Sequence, residues 1–139
     1  MTSGLVLCAV DRSEAGHTVL DAAKATGGDV LMVHVANSLL DSEIPAFTAD
    51  GETERIVEHG PTGVRLVQAA EARNASLVVL GTRAKRWSSV ARYVAKRVSC
   101  PVLVVGPAAD PAAEPITRPA FDRALIRTAP APVLIAPSG

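Results

Sequence analysis

Four short apolar runs rich in Val and Leu constrain this chain more than any other feature. They are Leu5–Val10, Val30–Val35, Leu77–Leu80 and Val102–Val105, with a weaker candidate at Arg55–Glu58. The runs are continuous rather than alternating, which is the pattern of strands buried on both faces of a parallel sheet. Parallel neighbours need crossovers, and helical stretches lie between the runs to supply them. Aromatic residues are only 3 % of the chain, so the core is built from Val, Leu, Ile and Ala. At 139 residues the chain can enclose one such core.

The crossovers have recognisable ends. Ser13 is placed to cap a helix that turns Ala15, Val19, Leu20, Ala22 and Ala23 to the core and stops at Gly27-Gly28. Pro61 or Thr62 opens a second helix with Val64, Val67 and Ala70 on one stripe, and Asn74 closes it. Ser88 or Ser89 opens a third, with Val90, Val94 and Val98 spaced by four. Right-handed crossovers put helices on both faces and create a switch point where the winding reverses. The predicted fold is α/β, a doubly wound five-stranded parallel sheet with helices on both faces.

Two segments depart from this rhythm. Residues 36–53 contain Pro45 and Gly51 and little helical stripe, and are expected to be mostly loop. Seven of the ten prolines lie at or after Pro107, and Pro107–Pro119 reads as an extended linker. An echo follows: VARYVAKRVSCPVLVVGP from Val90 matches FDRALIRTAPAPVLIAP from Phe121 in outline. This predicts a C-terminal extension with an extra strand at Pro132–Ala136. That strand is expected to cover the sheet edge beside residues 102–105 or to pair with a partner subunit. The expected division is 1–106 for the α/β domain and 107–139 for the linker and extension.

Fourteen cations balance fourteen anions, which argues against a general nucleic-acid binder. The charges are nevertheless segregated. Six acids lie between Asp41 and Glu58, and six bases with no acid lie between Gly81 and Cys100. The basic block is either a solvated face or an anion pocket near residues 82–89. No apolar run reaches eighteen residues and no basic leader precedes Leu5, so a small soluble cytoplasmic protein with no membrane partner is expected. Cys8 and Cys100 are then two reduced, buried thiols. His17, His34 and His59 have no metal-ligand spacing, and neither a G-x-S-x-G elbow nor a G-x-x-x-x-G-K-[S/T] loop is present. A thiol–imidazole pair of Cys8 and His34 on adjacent strands is conceivable, against plain packing of the thiol.

Leu5-Val6-Leu7-Cys8-Ala9-Val10-Asp11-Arg12-Ser13 followed by Val30-Leu31-Met32-Val33-His34-Val35 resembles the opening of universal stress protein (UspA-like) domains. Glu58-His59-Gly60-Pro61, then Ala75-Ser76-Leu77-Val78-Val79-Leu80-Gly81-Thr82-Arg83, continues the resemblance. Ser89-Val90-Ala91-Arg92-Tyr93-Val94 and Ser99-Cys100-Pro101-Val102-Leu103-Val104-Val105 close it. It spans about residues 3–106. The resemblance implies a five-stranded sheet of the adenine-nucleotide alpha-hydrolase-like type and a homodimer formed through the edge strand. Members that bind ATP carry G-x2-G-x9-G-[S/T] after the fourth strand, where glycines and a helix N-terminus cradle phosphates.

This chain keeps Gly81 but has Ala84 and Ser88 at the next two glycine positions. Three residues, not nine, separate them, so the loop is six residues short. By the resemblance, Asp11 contacts adenosine and Val35 lines the adenine slot, while Gly81, Thr82, Arg83, Ser88 and Ser89 hold an anion. Lys85 and Arg86 add positive potential there. The sequence reading is a non-catalytic, dimeric regulatory or interaction protein with a degenerate ATP-binding loop. Its homodimer is expected through the edge strand, the C-terminal extension or both. Alternatives are a sensor that binds ATP, AMP or a small anion, and a weak ATP-hydrolysing enzyme with no nameable base.

Overall fold

The computed structural model describes residues 4–10, 15–36, 54–82 and 87–137. In chain order the elements are β1 (Leu5–Val10), α1 (Ala15–Ala25), β2 (Asp29–Ala36), β3 (Glu54–His59), α2 (Thr62–Ala72), β4 (Leu77–Gly81), α3 (Trp87–Arg97), β5 (Val102–Val105), β6 (Ile116–Arg118), α4 (Arg123–Thr128) and β7 (Val133–Ile135). The continuous apolar runs are indeed the central strands. They lie in one sheet of order β3-β2-β1-β4-β5-β7-β6, the first five mutually parallel. Ser13 and most of the 36–53 segment lie outside the described residues.

Burial on both faces explains why these runs do not alternate in polarity. Along β1, Val6, Cys8 and Val10 face α1 and pack with its Val19, Leu20, Ala22 and Ala23. Leu7 and Ala9 face the other way, into a core with Leu66, Ala69 and Ala70 of α2 and Ala91, Val94 and Ala95 of α3. Truncating a fully enclosed side chain such as Leu66 removes about 2–5 kcal/mol of stability. The helices end as the glycine and asparagine signals predict. Gly27 (φ 84°) follows α1, and Asn74 (φ 53°) follows α2 in the left-handed region. The Glu71 carboxylate near the end of α2 accepts from the Ser99 N–H at 2.7 Å and from its hydroxyl at 3.0 Å, tying α2 to the turn before β5.

Two sequence expectations need correction. α3 begins at Trp87, so Ser88 and Ser89 lie inside its first turn rather than opening it. The indole of Trp87 is buried in the core, and burying that ring carries the helix start one residue earlier. The extension also adds two strands, not one. Inside the Pro107–Pro119 stretch expected as a linker, Ile116–Arg118 forms β6, parallel to β7. The rest of that stretch is tied down by Ala109 N–H to Gly106 O (3.2 Å) and Asp110 N–H to Pro130 O (2.9 Å). A three-residue strand between two prolines carries no pattern that sequence reading can find.

β7 pairs antiparallel with β5 in its own chain, Val102 opposite Ile135 and Val104 opposite Val133. The expected strand at Pro132–Ala136 therefore covers the sheet edge beside residues 102–105 from within the chain. The new edge is β6, where Pro115 and Pro119 flank three residues ending in Arg118, a combination that discourages further strand addition. α4 follows with Asp122 as its cap, the Asp122 Oδ1 accepting from the Leu125 N–H at 3.2 Å. It packs Ile126 into the α2/α3-side core. Gly106 makes this docking possible, because a Cβ there would run into the Ile126 carbonyl.

Cys8 and Cys100 are both buried free thiols. The register sets Cys8 beside Met32 and Val10 beside His34, so Cys8 packs with aliphatic neighbours and is not paired across strands with the imidazole. Burial pushes the Cys8 thiol from 9.0 up to about 12.

Two outcomes are expected. Gly106→Ala forces α4 away from the β5 end and should lower unfolding stability by about 1–3 kcal/mol in urea melts; an unchanged midpoint would refute that contact. For Cys8, the folded state holds the thiol proton more tightly than the unfolded chain does. The associated stability is complete below pH 9 and declines as pH rises toward 12. The stability gap between the native protein and Cys8→Ala should therefore narrow between urea melts at pH 8 and pH 10.5, whereas a constant gap would mean the thiol is solvated.

Candidate functional site

The winding of the sheet reverses between β1 and β4. β1 feeds α1 on one face and β4 feeds α3 on the other, which makes the carboxyl ends Val10 and Gly81 the switch point at which open α/β sheets bind ligands. Asp11 and Arg83, two of the residues the resemblance assigns to the ligand, lie outside the described residues, as do Ala84, Lys85 and Arg86.

Gly81 and Thr82 stand at the end of β4, and Ser88 and Ser89 lie in the first turn of α3, the next element of the chain. Gly81 ends β4, and a Cβ on it would stand 2.7 Å from Val19 Cγ2 and 3.5 Å from the Val105 carbonyl oxygen. The glycine thus lets α1 sit close on the sheet, a packing demand that exists with or without a phosphate. Thr82 N–H donates to Val105 O at 3.1 Å, which extends the β4–β5 ladder one residue past the strand and fixes where the chain departs. Only residues 82–86 connect β4 to α3. Ser88 is partly buried and Ser89 exposed in the first turn of α3, where backbone N–H groups lack intrahelical acceptors and the helix dipole is positive.

Val35 lies near the end of β2, two strands away from β4. It is 6 % exposed and belongs to the α2/α3-side core, so within the described residues its surface is chiefly a packing surface. It lies on the same face of the sheet as α3, two strands over from β4.

Two residues absent from the sequence-derived set contribute to this edge. His34 is 5 % exposed, and its Nδ1 donates to the Val10 carbonyl oxygen at 3.3 Å. It thereby holds the last peptide of β1, immediately before Asp11, against β2. A histidine inside a strand carries no sequence mark of that role. Trp87 Nε1 is buried and has no hydrogen-bond partner among the described residues. A buried indole N–H ordinarily finds an acceptor. Among the described residues no group of three or more His, Cys, Asp or Glu side chains could hold a metal ion, and no helix is long and apolar enough to cross a membrane.

Comparison with known proteins adds the following. The model of the Universal stress protein family matches residues 43–106, from ahead of β3 to the glycine that precedes the extension. No curated protein sequence matches this chain significantly. Among solved structures, a crystal structure of a universal stress protein in complex with cAMP is similar in fold. Its TM-score is 0.56 at 16 % sequence identity, over 73 % of this chain and 96 % of that one. The matched segment supplies β3 through β5. Residues 43–106 of this chain thus match the universal stress protein family model, and its fold is similar to that of a universal stress protein.

Proposed function

We propose that this chain is a non-catalytic regulatory protein that takes an adenine nucleotide with a single phosphate at the switch point between β1 and β4. The observation that carries the proposal is the five-residue connection from Gly81 to Trp87, together with an indole N–H at its far end that has no partner among the described residues. Five residues cannot wrap a triphosphate as the longer glycine-rich loop does. They bring the first turn of α3 close to the strand end, where its N–H groups and the Trp87 donor suit one phosphate group.

Asp11 is assigned to the adenosine moiety and Val35 to the adenine side. Gly81, Thr82, Arg83, Ser88 and Ser89 are assigned to the phosphate. The relative crystallised with cAMP supports a ligand of this size in the same fold. The proposed role is binding and not turnover. Self-association belongs to this reading as well. Since β7 occupies the free side of β5, a homodimer would form through the outer surface of the C-terminal extension.

Trp87 is the single tryptophan and reports on the site directly. Titration with AMP and cAMP should change its fluorescence, with affinity at least about tenfold above that for ATP, a difference of roughly 1.4 kcal/mol. Asp11→Ala should abolish the ligand-induced rise in melting temperature while leaving the unliganded melt intact. A protein that ignores all three nucleotides, or prefers ATP, or releases phosphate from ATP above a buffer blank, defeats the proposal. Native mass spectrometry of the same samples reads subunit number and bound mass together.

A further inference from the structure

A second cleft, of about 470 Å³, opens between α3 and the C-terminal extension. Arg92, Arg118 and Arg123 line it, with Phe121 and Asp122. The three arginines come from three separate elements: the middle of α3, the end of β6 and the start of α4. Nothing in the local sequence groups them. The fold does, by laying the extension beside α3. Because the chain as a whole is neutral, their convergence is not a by-product of a basic protein.

Their partners are few. Arg92 and Arg123 form no ion pair or hydrogen bond among the described residues, and Arg118 Nη1 donates only to the neighbouring Thr117 carbonyl oxygen at 2.9 Å. Arg97, one turn and a half further along α3, shows the contrast. Its guanidinium stacks 3.7 Å from the Tyr93 ring centroid and its Nη1 donates to the Tyr93 carbonyl. Asp122, the sole carboxylate lining the cleft, is engaged through Oδ1 in capping α4. The cleft is thus lined by three arginines and by one carboxylate residue that is already in use.

We propose that this cleft binds a small ligand carrying two linked phosphate groups. Guanidinium forks bind phosphate oxygens in bidentate fashion, and three of them on different elements match a dianionic or more highly charged group better than a single carboxylate. The volume fits a small molecule, and Phe121 supplies an apolar wall for the remainder of it. This site differs in its lining from the β1/β4 switch point, since none of Val10, Gly81, Thr82, Ser88 and Ser89 lines it.

Inorganic pyrophosphate is the probe, titrated calorimetrically into the full chain at two salt concentrations. Binding is expected that weakens as salt rises, falls at least tenfold in Arg123→Ala and in Arg118→Ala, and is only partly restored by Arg123→Lys. It should be unaffected by Asp11→Ala and by excess AMP, which separates it from the switch point. Circular dichroism melts of the arginine variants confirm that they fold. The proposal is overturned by absent heat at millimolar pyrophosphate, by arginine variants that bind normally, by competition with AMP, or by a hexaglutamate peptide that binds through the same arginines more tightly than pyrophosphate.

Discussion

Burial of the central strands on both faces is the constraint from which the rest follows. β1 and β4 place consecutive side chains into two different cores, so every residue from Val6 to Val10 and from Leu77 to Leu80 is enclosed. Polar chemistry has no room on either face. It is displaced to the carboxyl edge, where the winding reverses and the strands end in Val10 and Gly81. The position of the candidate site is therefore a consequence of packing before it is a matter of ligand recognition.

The same logic explains the extension. A parallel sheet that ended at β5 would leave the backbone groups of Val102–Val105 open on one side, next to fully buried aliphatic side chains. β7 satisfies them antiparallel, and α4 closes over the end of β5 because Gly106 has no side chain to block Ile126. β6 then ends the sheet with a short, proline-flanked strand. What resembles a duplicated helix–strand unit in the sequence works as an edge cover in the structure, and its approach to α3 gathers the three arginines.

How much of this was legible depends on how each feature is encoded. Two-sided burial writes itself into the sequence as unbroken Val and Leu, so β1, β2, β4 and β5 were open to reading. Helix ends marked by backbone conformation, at Gly27 and Asn74, were equally plain. β6 was not, because a three-residue edge strand has neither alternation nor continuous apolarity. The serines at 88 and 89 looked like caps, yet the buried indole of Trp87 set the helix start. Gly81 was read for its backbone access to phosphate, and the structure adds the contact with Val19 that asks for the same residue. Positions 92, 118 and 123 are meaningless as a group until the chain is folded.

The pairing of β5 with β7 also sets an order of events during synthesis. All five parallel strands are complete once Val105 has emerged, but their outer edge has no partner until residues 133–135 follow. At ordinary translation speeds that interval is on the order of seconds, long compared with the microseconds in which a hairpin closes. For that period the nascent domain displays Val-Leu-Val-Val with its amides free, and any chaperone or neighbouring chain able to add a strand competes with the protein's own extension.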